Sequence, residues 1–429
     1  MRRREGGMDD NLKAYLQALD LLIQPVRQGD YPAGLDPMRA LLAEMGQPQQ
    51  GLRAVVVTGS SGKGSTCARI ARHLRAAGLN VGLYTSPHLH SFRERFVLND
   101  AMIDRGTFAA GAQVVAAAAA RVGTSYSTFE QATALALWWF AQQQPDFVVL
   151  EIGLGGRWDA VNVVDNLLAV FTRIEAEHVA MLGGSLESVA WHKAGIIKPD
   201  GWAVSAPQAT PVWDVLRAEA DAQAARLVLA DAADLSRSAC QNLADRGLIP
   251  SDNVLAAIEP AHLPGRLEMV RYHGRQLLID GGHTPAAAHY LRAAIERLTR
   301  DPVRLVVGML NDKDARAWLA TFDTSQFHVV LTRAAGHRAA APDALASSYN
   351  FQNARVEIIL DLDQALAQAD DAGEALFVVA GSLRMVAYAR EYCGLLSAAE
   401  LEEALATRAL FEGETYLSKL TDSGRKQRY

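Results

Sequence analysis

A glycine-rich turn between an apolar run and a helix-forming segment carries the clearest chemical signature in the sequence. Residues 55–66 read VVVTGSSGKGST. Glycines let backbone N–H groups surround phosphate oxygens, and the start of a helix adds partial positive charge. Lys63 is long enough to reach terminal phosphates, and the hydroxyl of Ser65 or Thr66 suits a Mg²⁺ ion. The turn therefore predicts a site for a nucleoside triphosphate.

The spacing of this turn differs from the common GxxxxGK[ST] pattern, because Gly64 stands between Lys63 and Ser65. A glycine-rich turn by itself is weak evidence. Here strand, turn, lysine, hydroxyl and helix follow in the order that phosphate binding requires. The alternative is an ordinary tight turn that leads into a core helix.

An acidic residue lies near the end of a second apolar run, where residues 148–160 read VVLEIGLGGRWDA. Glutamate is rarely buried unless it is paired or bound to a metal, and its oxygens are hard ligands that suit Mg²⁺. We therefore interpret Glu151 as a metal ligand beside the phosphate site. The alternative is a carboxylate that caps a loop near Arg157.

His178 and Lys193 follow a third apolar run. A histidine after a strand end is placed to act as a metal ligand or as an acid or base, although a lone histidine is more often packed or solvated. Ser185 is suited to cap the start of a short helix and Gly195 to stop it. Lys193 then lies in the last helical turn, where the helix dipole favours a cation, and this is its alternative, purely structural role.

Two further segments place hydroxyl groups at the ends of predicted elements. Ser86 follows a short strand within the sequence TSPHL, and we interpret it as a metal or phosphate contact rather than a simple turn residue. Residues 127–130 read STFE and open a long apolar helix. Phe129 is either an aromatic platform for a ligand or part of the core.

Alternating β-rich and helical runs predict an α/β fold with buried, mostly parallel sheets. Ligands of such sheets bind beyond the carboxyl ends of the strands, where the residues above are expected to meet. The predicted strands are Leu52–Thr58, Phe147–Ile152, Leu168–Ile174, Arg304–Gly308, Phe327–Thr332, Val356–Leu360 and Leu376–Ala380.

The chain length of 429 residues favours two domains. A change of pattern near residues 263–268 predicts a first domain over 1–262 and a second over 263–392. Residues 393–429 form a helical pattern with a polar end, which we interpret as an appended tail.

Composition excludes several classes of partner. A net charge of −6 predicts no basic face for nucleic acid. Cys67, Cys240 and Cys393 lack CxxC spacing, which predicts neither disulfides nor a zinc site. No run approaches the roughly 18 apolar residues of a membrane span. We expect a cytoplasmic protein that does not bind membranes and acts as a monomer.

Several motifs together resemble the folylpolyglutamate synthase and dihydrofolate synthase family, whose members are relatives of the Mur ligases. They occur in family order between about residues 34 and 390. The matching positions are the 59–66 turn, Thr85–Leu89, Glu151–Arg157, His178 with Leu182 and Gly183, Lys193–Ile196, Pro264–Arg266 and Asp312–Asp314.

The resemblance implies a P-loop, Mur-ligase-like ATP-binding domain followed by a smaller, Rossmann-like α/β domain. It also implies a cytoplasmic ATP-dependent ligase of folate biosynthesis and one-carbon metabolism. Such an enzyme phosphorylates a carboxylic acid, dihydropteroate or a folate, and lets the amine of L-glutamate attack the acyl phosphate. The cofactors implied are ATP and Mg²⁺.

The resemblance also assigns site residues. ATP would be held by Gly59, Gly62, Lys63, Gly64, Ser65, Thr66, Arg266 and Asp280. The metal would be held by Ser86, Glu151 and His178. The catalytic group would comprise Lys63, Glu151, His178 and Lys193, the last corresponding to a lysine that the family carbamylates. The acid would contact Phe129, Glu130, Trp158, Asp159 and Ala160, and glutamate would contact His283 and Ser382.

Several positions depart from the family pattern, among them Ser60 and Ser61 in the glycine turn, where the family has threonine and asparagine, and Trp158, close to where the pterin would lie. The family has leucine where this chain has Trp158, aspartate where it has Glu177, glutamate where it has His192, and asparagine where it has Thr284. The segment from 206 to 263 is also shorter than in the family and shows no evident strand pair.

A chain with a phosphate turn could have three functions other than that of a folate ligase. A paralogous Mur-type ligase would activate another acid and join it to another amino acid. A scaffold or regulator would bind nucleotide without turnover and use the tail to bind a partner. A switch GTPase is disfavoured, because we find no guanine-binding Asn-Lys-x-Asp stretch in the sequence.

Overall fold

The computed structural model describes residues 9–23, 34–231, 234–250, 263–336, 338–368 and 374–412. The chain divides into two compact units. Unit 1 comprises Met1–His88 and Phe92–Ala261, and unit 2 comprises Leu89–Ser91 and His262–Tyr429. Residues 413–429 of the predicted tail lie outside the described residues.

Unit 1 is built on an eight-stranded sheet of order β4-β3-β2-β5-β1-β6-β7-β8. The strands from β2 to β8 in this order pair in parallel, and β3 and β4 add antiparallel pairs at one edge. Strands β1 and β5 are completely buried, as expected of central parallel strands rich in valine. The strands are β1 (Ala54–Thr58), β2 (Val81–Tyr84), β3 (Phe96–Leu98), β4 (Ala101–Met102), β5 (Phe147–Glu151), β6 (Asn166–Phe171), β7 (Trp202–Ser205) and β8 (Arg226–Leu229).

Helices cover both faces of this sheet. Their apolar sides meet the strands in a cluster that includes Val55, Val57, Ile70, Leu74 and Val149. The helices of unit 1 are α1 (Asp10–Leu22), α2 (Asp36–Glu44), α3 (Lys63–Ala76), α4 (Arg105–Val122), α5 (Thr128–Gln143), α6 (Leu186–Ala194), α7 (Thr210–Ala222) and α8 (Leu235–Asp245).

Unit 2 contains a six-stranded sheet of order β13-β12-β11-β14-β10-β9, in which β9 alone of these strands is antiparallel to its neighbour. Trp318, Phe322 and Phe327 pack on its buried face, with the Trp318 and Phe322 rings 4.7 Å apart. The strands are β9 (Glu268–Tyr272), β10 (Arg275–Asp280), β11 (Val303–Val307), β12 (Phe327–Leu331), β13 (Arg355–Ile358) and β14 (Leu376–Ala380). The helices are α9 (Pro285–Leu298), α10 (Ala315–Ala320), α11 (Pro342–Ser348), α12 (Leu362–Ala367), α13 (Leu383–Tyr392) and α14 (Ala398–Glu412).

The prediction of mostly parallel α/β sheets is confirmed, while several element limits differ. The run predicted as a strand to Ile174 leaves the sheet after Phe171, and the backbone N–H of Ile174 binds the Gln208 side chain instead. Helix α3 begins at Lys63, so that Lys63, Ser65 and Thr66 all lie in its first turn. Within residues 206–231 and 234–250 the chain forms α7, β8 and α8, and the edge strand β8 is an element that the sequence patterns did not predict.

Within the described ranges, every helix is too short or too polar to cross a membrane.

Candidate active site

The predicted phosphate turn connects β1 to α3 and is held by its surroundings. Gly59 has φ +146°, and a Cβ atom there would lie 1.8 Å from Thr172 Oγ1, so only glycine fits. Ser60 Oγ donates to Glu175 O at 3.1 Å and accepts from Glu175 N at 2.9 Å. Gly62, with φ +81°, directly precedes the first residue of α3. The first amides of this helix are therefore positioned to bind an anion.

Two lysines converge on one carbonyl oxygen of this turn. Lys63 Nζ donates to Gly59 O at 3.1 Å and to Ser60 O at 3.3 Å, and Lys193 Nζ donates to Gly59 O at 2.8 Å. Lys193 lies in the last turn of α6 and is only 4% exposed. Burial, together with the charge of Lys63, lowers the pKa of Lys193 to about 7. Lys193 thus binds the phosphate turn in addition to lying at the end of its own helix, where the dipole favours a cation.

Glu151, Ser86 and Gly64 also meet at this turn. Glu151 is the last residue of β5 and is 4% exposed. Its Oε2 accepts a hydrogen bond from Ser86 N at 2.8 Å, and a Cβ atom on Gly64 would lie 3.4 Å from the same oxygen. Gly64, which interrupts the common phosphate-turn pattern, therefore lets a carboxylate approach the start of α3 closely. Arg157, the residue near which Glu151 could alternatively cap a loop, pairs with Glu219 at 2.5 Å.

His178 follows β6 but is more exposed than Glu151. Its φ is +54°, its side chain is 39% exposed, and its Nε2 lies 3.7 Å from Glu177 Oε1. Across the described parts of the chain, no three His, Cys, Asp or Glu side chains form a ready-made metal cluster. The buried Glu151 carboxylate at the turn suits a hard ion such as Mg²⁺ that takes further oxygens from phosphate and water.

The start of α5 forms the predicted acid side of the site. Ser127 and Glu130 make a capping box, in which Glu130 Oε2 accepts from Ser127 N at 2.7 Å. Glu130 therefore stabilises the helix start. The ring of Phe129 lies against Gly153, where a Cβ atom would come within 2.6 Å of Phe129 Cζ. Its ring centroid is 6.2 Å from that of Tyr84.

Asp159, in the loop after β5, is buried, with 5% exposure. It accepts hydrogen bonds from Leu154 N at 2.9 Å and Val161 N at 3.0 Å, and it caps the 3-10 turn Ala160–Val163. Burial raises the pKa of Asp159 to about 7 despite these hydrogen bonds. Asp159 and the buried Ala160 therefore shape the loop after β5 from within.

An aromatic cluster brings together two of the departures from the family pattern. The rings of Trp158 and His192 lie 4.9 Å apart, and Trp191 contacts both, at 5.7 and 5.0 Å. Arg157 stacks on Trp191 at 4.0 Å. Burial and the charges of Arg157 and Lys193 lower the pKa of His192. Sequence analysis missed Trp191, for which the only available signal was its position beside His192.

The predicted residues of unit 2 also lie beyond strand ends. Asp280 ends β10 and accepts hydrogen bonds from Leu267 N at 2.9 Å and Gly282 N at 2.8 Å. Burial raises its pKa, and the neighbouring charge of Arg266 opposes that rise. A Cβ atom on Gly281 would lie 3.5 Å from Arg266 Nη1, so the guanidinium is close to this turn.

His283 and Ser382 follow two adjacent strands of unit 2, β10 and β14. Ser382 is 2% exposed and caps α13, because its hydroxyl accepts from Met385 N at 3.2 Å. His283 is partly exposed and precedes Thr284, which caps α9. Both residues therefore lie, like Asp280, at the carboxyl ends of the strands of this sheet.

Comparison with known proteins places this fold in a class and then in a family. Residues 265–383 match the Mur ligase glutamate ligase domain, so the chain combines a phosphate-turn sheet domain with the C-terminal domain of Mur-type ligases. It is 31% identical over 390 residues to the dihydrofolate synthase/folylpolyglutamate synthase of Escherichia coli (strain K12), covering 83% of this chain and 90% of that protein. The chain belongs to the folylpolyglutamate synthase and dihydrofolate synthase family.

Other relatives support the same grouping. The chain is 30% identical to the folylpolyglutamate synthase of Lacticaseibacillus casei, over 71% of this chain and 82% of that protein. A probable bifunctional folylpolyglutamate synthase/dihydropteroate synthase of Haloferax volcanii is 31% identical over 88% of this chain, which spans 50% of that longer protein.

Solved structures are similar over almost their whole length. Mycobacterium tuberculosis folylpolyglutamate synthase, complexed with ADP and AMPPCP, superposes with a TM-score of 0.79 and 28% identity, covering 90% of this chain and 99% of that one. E. coli FolC in complex with DHPP and ADP gives a TM-score of 0.77 and 28% identity, covering 90% of this chain and 98% of that one.

Proposed function

We propose that this chain is an ATP- and Mg²⁺-dependent ligase that forms an amide between a folate-type carboxylic acid and L-glutamate. The observation that carries the proposal is the position of the Glu151 carboxylate, which lies against the Ser86 amide and beside Gly64 at the phosphate turn. The relatives named as folylpolyglutamate and dihydrofolate synthases support the choice of acid and amino acid.

The reaction requires two nucleophilic displacements, the first at phosphorus and the second at the acyl carbon. A carboxylate oxygen of the acid attacks the γ-phosphorus of ATP, the bond to the β–γ bridging oxygen breaks, and ADP leaves. The amine of glutamate then attacks the acyl carbon, inorganic phosphate leaves, and the amine loses a proton. The protein mainly aligns the reactants and neutralises charge on the phosphoryl oxygens.

Residues at the turn divide this work. The α3 amides between Lys63 and Thr66, with Gly59 and Gly62 shaping the turn, bind the phosphates, and the Lys63 ammonium neutralises their charge. Ser86, Glu151 and His178 would hold Mg²⁺. When bound, the ion polarises the phosphoryl group and screens its charge.

Lys193 is the residue that we propose to be carbamylated. With its pKa near 7, a substantial share of the amine is neutral at physiological pH and able to attack CO₂. A nitrogen–carbon bond forms, the nitrogen loses a proton, and the ammonium becomes an anionic carbamate. This anion would replace a cation beside Lys63 and relieve the repulsion between the two lysines.

The remaining predicted contacts complete the proposal. Phe129, Glu130, Trp158, Asp159 and Ala160 would shape the acid side. Arg266 and Asp280 would contact ATP, and His283 and Ser382 would contact glutamate. Residues 1–262 would thus bind the acid and the phosphates of ATP, and residues 263–392 would bind the amino acid and add the Arg266 and Asp280 contacts to ATP. We further propose a cytoplasmic monomer.

One observation favours a second candidate, a paralogous ligase that activates a different acid. Trp158 and His192, which replace a leucine and a glutamate of the family, contact each other through their rings at 4.9 Å. Where the acid binds next to this aromatic cluster, the changed side chains would favour a different acid.

The test is phosphate release from ATP and Mg²⁺ with glutamate and dihydropteroate, a reduced folate or no acid, with products identified by mass spectrometry. We expect a glutamylated folate-type product from one of the acids. If protein that binds ATP releases no phosphate and forms no product with any pterin, the result would contradict the folate proposal and favour the paralogous ligase. A Glu151→Gln variant is expected to lose about 100-fold or more in turnover. Unchanged ATP hydrolysis in that variant would argue against a metal role for Glu151.

A further inference from the structure

The Ser86 loop, residues 85–88, follows β2 and lies within unit 1. The Ser86 amide donates to Glu151 Oε2 at 2.8 Å. His88 belongs to the same sequence motif as Ser86, yet the proposed function gives it no task. The position of Ser86 depends on the contacts that hold the loop on either side of it.

One arginine of unit 1 binds both ends of this loop. Arg95 is the last residue of the 3-10 turn Phe92–Arg95 and directly precedes β3, which pairs antiparallel with β2. Its backbone carbonyl accepts a hydrogen bond from Thr85 N at 3.2 Å, and its Nε donates to His88 Nδ1 at 3.2 Å. Arg95 thus binds the residue before Ser86 with its backbone and the end of the loop with its side chain.

The ring of Phe92 supports the contact between Arg95 and His88. The guanidinium carbon of Arg95 lies 4.6 Å from the centre of this ring, and the His88 ring packs against it with centroids 5.2 Å apart. Phe92 itself is completely buried. Because a guanidinium that stacks on an aromatic ring has a fixed plane, its N–H groups point in defined directions. The donor and the acceptor are therefore held on one rigid surface.

The guanidinium is also within electrostatic range of the carboxylate that the loop binds. Burial lowers the pKa of Arg95, and the nearby side chains of Tyr84 and Glu151 oppose this shift. Glu151 is 4% exposed, and a carboxylate so deeply buried requires donors or cations nearby. Arg95 therefore supports both the loop and its partner.

We propose that Arg95 is a positioning residue for the Ser86 loop and that it acts through His88. Its two hydrogen bonds hold the loop at both ends, so that the Ser86 amide stays bound to Glu151 before a metal arrives. The inference rests on the proposed function and deepens it, because Ser86 and Glu151 are two of the proposed metal ligands. All of these residues belong to unit 1.

The test is a double-mutant cycle of Arg95→Met and His88→Phe. Methionine keeps an apolar stem against Phe92 but removes the donors and the charge, and phenylalanine keeps the ring but removes Nδ1. Two quantities are measured: hydrogen exchange at the Ser86 amide in protein without ligands, and the Mg²⁺ concentration for half-maximal turnover. In Arg95→Met we expect exchange to accelerate and the Mg²⁺ requirement to rise by about 10-fold. His88→Phe should change both in the same direction, and the double variant should match Arg95→Met alone, because both changes remove one hydrogen bond.

Arg93→Met is the matched control. Arg93 lies in the same 3-10 turn as Arg95, but its side chain donates to Ile103 O at 2.8 Å. We expect its Ser86 exchange and its Mg²⁺ requirement to stay close to wild type. Equal effects of Arg93→Met and Arg95→Met would overturn the inference, because they would show a general loosening of the turn.

Unchanged Ser86 exchange in folded Arg95→Met would also overturn the inference, and so would additive effects of Arg95→Met and His88→Phe. Where Arg95→Met fails to fold, nitrogen-15 NMR of wild-type protein in alkaline buffer decides. The hydrogen bond requires neutral His88 to carry its proton on Nε2, so a proton on Nδ1 would contradict the proposal. Failure of the proposed function is separate, because it would show as inactive wild-type protein, whereas exchange and NMR need no turnover.

Discussion

Lys63 and Lys193 donate hydrogen bonds to the same carbonyl oxygen, Gly59 O, at 3.1 and 2.8 Å. They come from different helices, α3 and α6, and meet beneath the phosphate turn. Two ammonium groups so close to each other repel, and burial adds to the cost of the Lys193 charge. The pair therefore makes the turn attractive to anions and leaves Lys193 chemically reactive.

Replacing Lys193 with alanine is expected to reduce kcat about 100-fold, because the site loses a group that supports the metal once it is carbamylated. Short carboxylates such as acetate should restore part of the activity by occupying the vacated space. The matched control is Lys198→Ala. Lys198 is a half-buried lysine whose pKa burial lowers to about 8, but it donates to Asn162 O instead.

Intact-protein mass spectrometry with bicarbonate should show one added CO₂ in wild type and none in Lys193→Ala. Full activity of the unrescued variant would rule out the proposed role.

The glycines of the turn are expected to respond differently to alanine. Gly59→Ala should lower the free energy of unfolding by about 3 kcal/mol, because its Cβ would collide with Thr172 and its φ is +146°. In Gly62→Ala the new Cβ has no neighbouring atom within 4 Å. We expect the free energy of unfolding to fall by about 1 kcal/mol, because only the φ of +81° opposes alanine there. Urea denaturation measures both values.

Gly64→Ala separates stability from function at the same turn. Its Cβ would touch Glu151 Oε2 at 3.4 Å, within a regular helix, so we expect stability close to wild type and reduced turnover. Phosphate release in a variant with a normal urea midpoint is the measurement. Normal turnover in that variant would show that the approach of Glu151 to α3 is not needed for the reaction.

Trp158 is predicted to contribute to binding of the acid. Trp158→Leu, which restores the family residue, should raise KM for the acid by about 10-fold while KM for ATP stays unchanged, because an aromatic surface is lost. Trp202→Leu, at a tryptophan of β7, is the control for a general loss of aromatic packing. A lower KM for a pterin acid in Trp158→Leu would instead indicate that the tryptophan obstructs that acid and would support the paralogous ligase.

Asp159 should make stability depend on pH. Its folded pKa, about 7, lies above its ordinary value of 3.8, so the folded state binds the proton more tightly than the unfolded state. This contribution is fully present below pH 3.8 and is lost as pH rises to about 7, by at most about 4 kcal/mol. Urea denaturation of wild type and Asp159→Asn at pH 5 and pH 8 tests it. Between pH 5 and pH 8, the free energy of unfolding should fall more in wild type than in Asp159→Asn. An equal change in the two proteins would contradict the raised pKa.

Local patterns predicted the valine-rich strands well, and several shorter or less apolar strands poorly. Valine-rich runs at β1 and β5 and the capping residues Ser127 and Ser185 gave correct strands and helix starts, because burial and capping leave a signal within a few residues. The short edge strands β3, β4 and β8 lack such a signal. Their conformation depends on pairing with a neighbouring strand that is distant in sequence.

The sequence by itself determined the chemistry that is available: a glycine turn with Lys63, a strand-end carboxylate at Glu151, and a family pattern that names their use. Only the tertiary structure decided which groups meet. Parallel pairing sets β5 between β1 and β2, and this brings Glu151 to Ser86 and Gly64. The packing of α6 brings Lys193 to Gly59. Such distances depend on the register and packing of elements that are 65 to 134 residues apart, which no local pattern encodes.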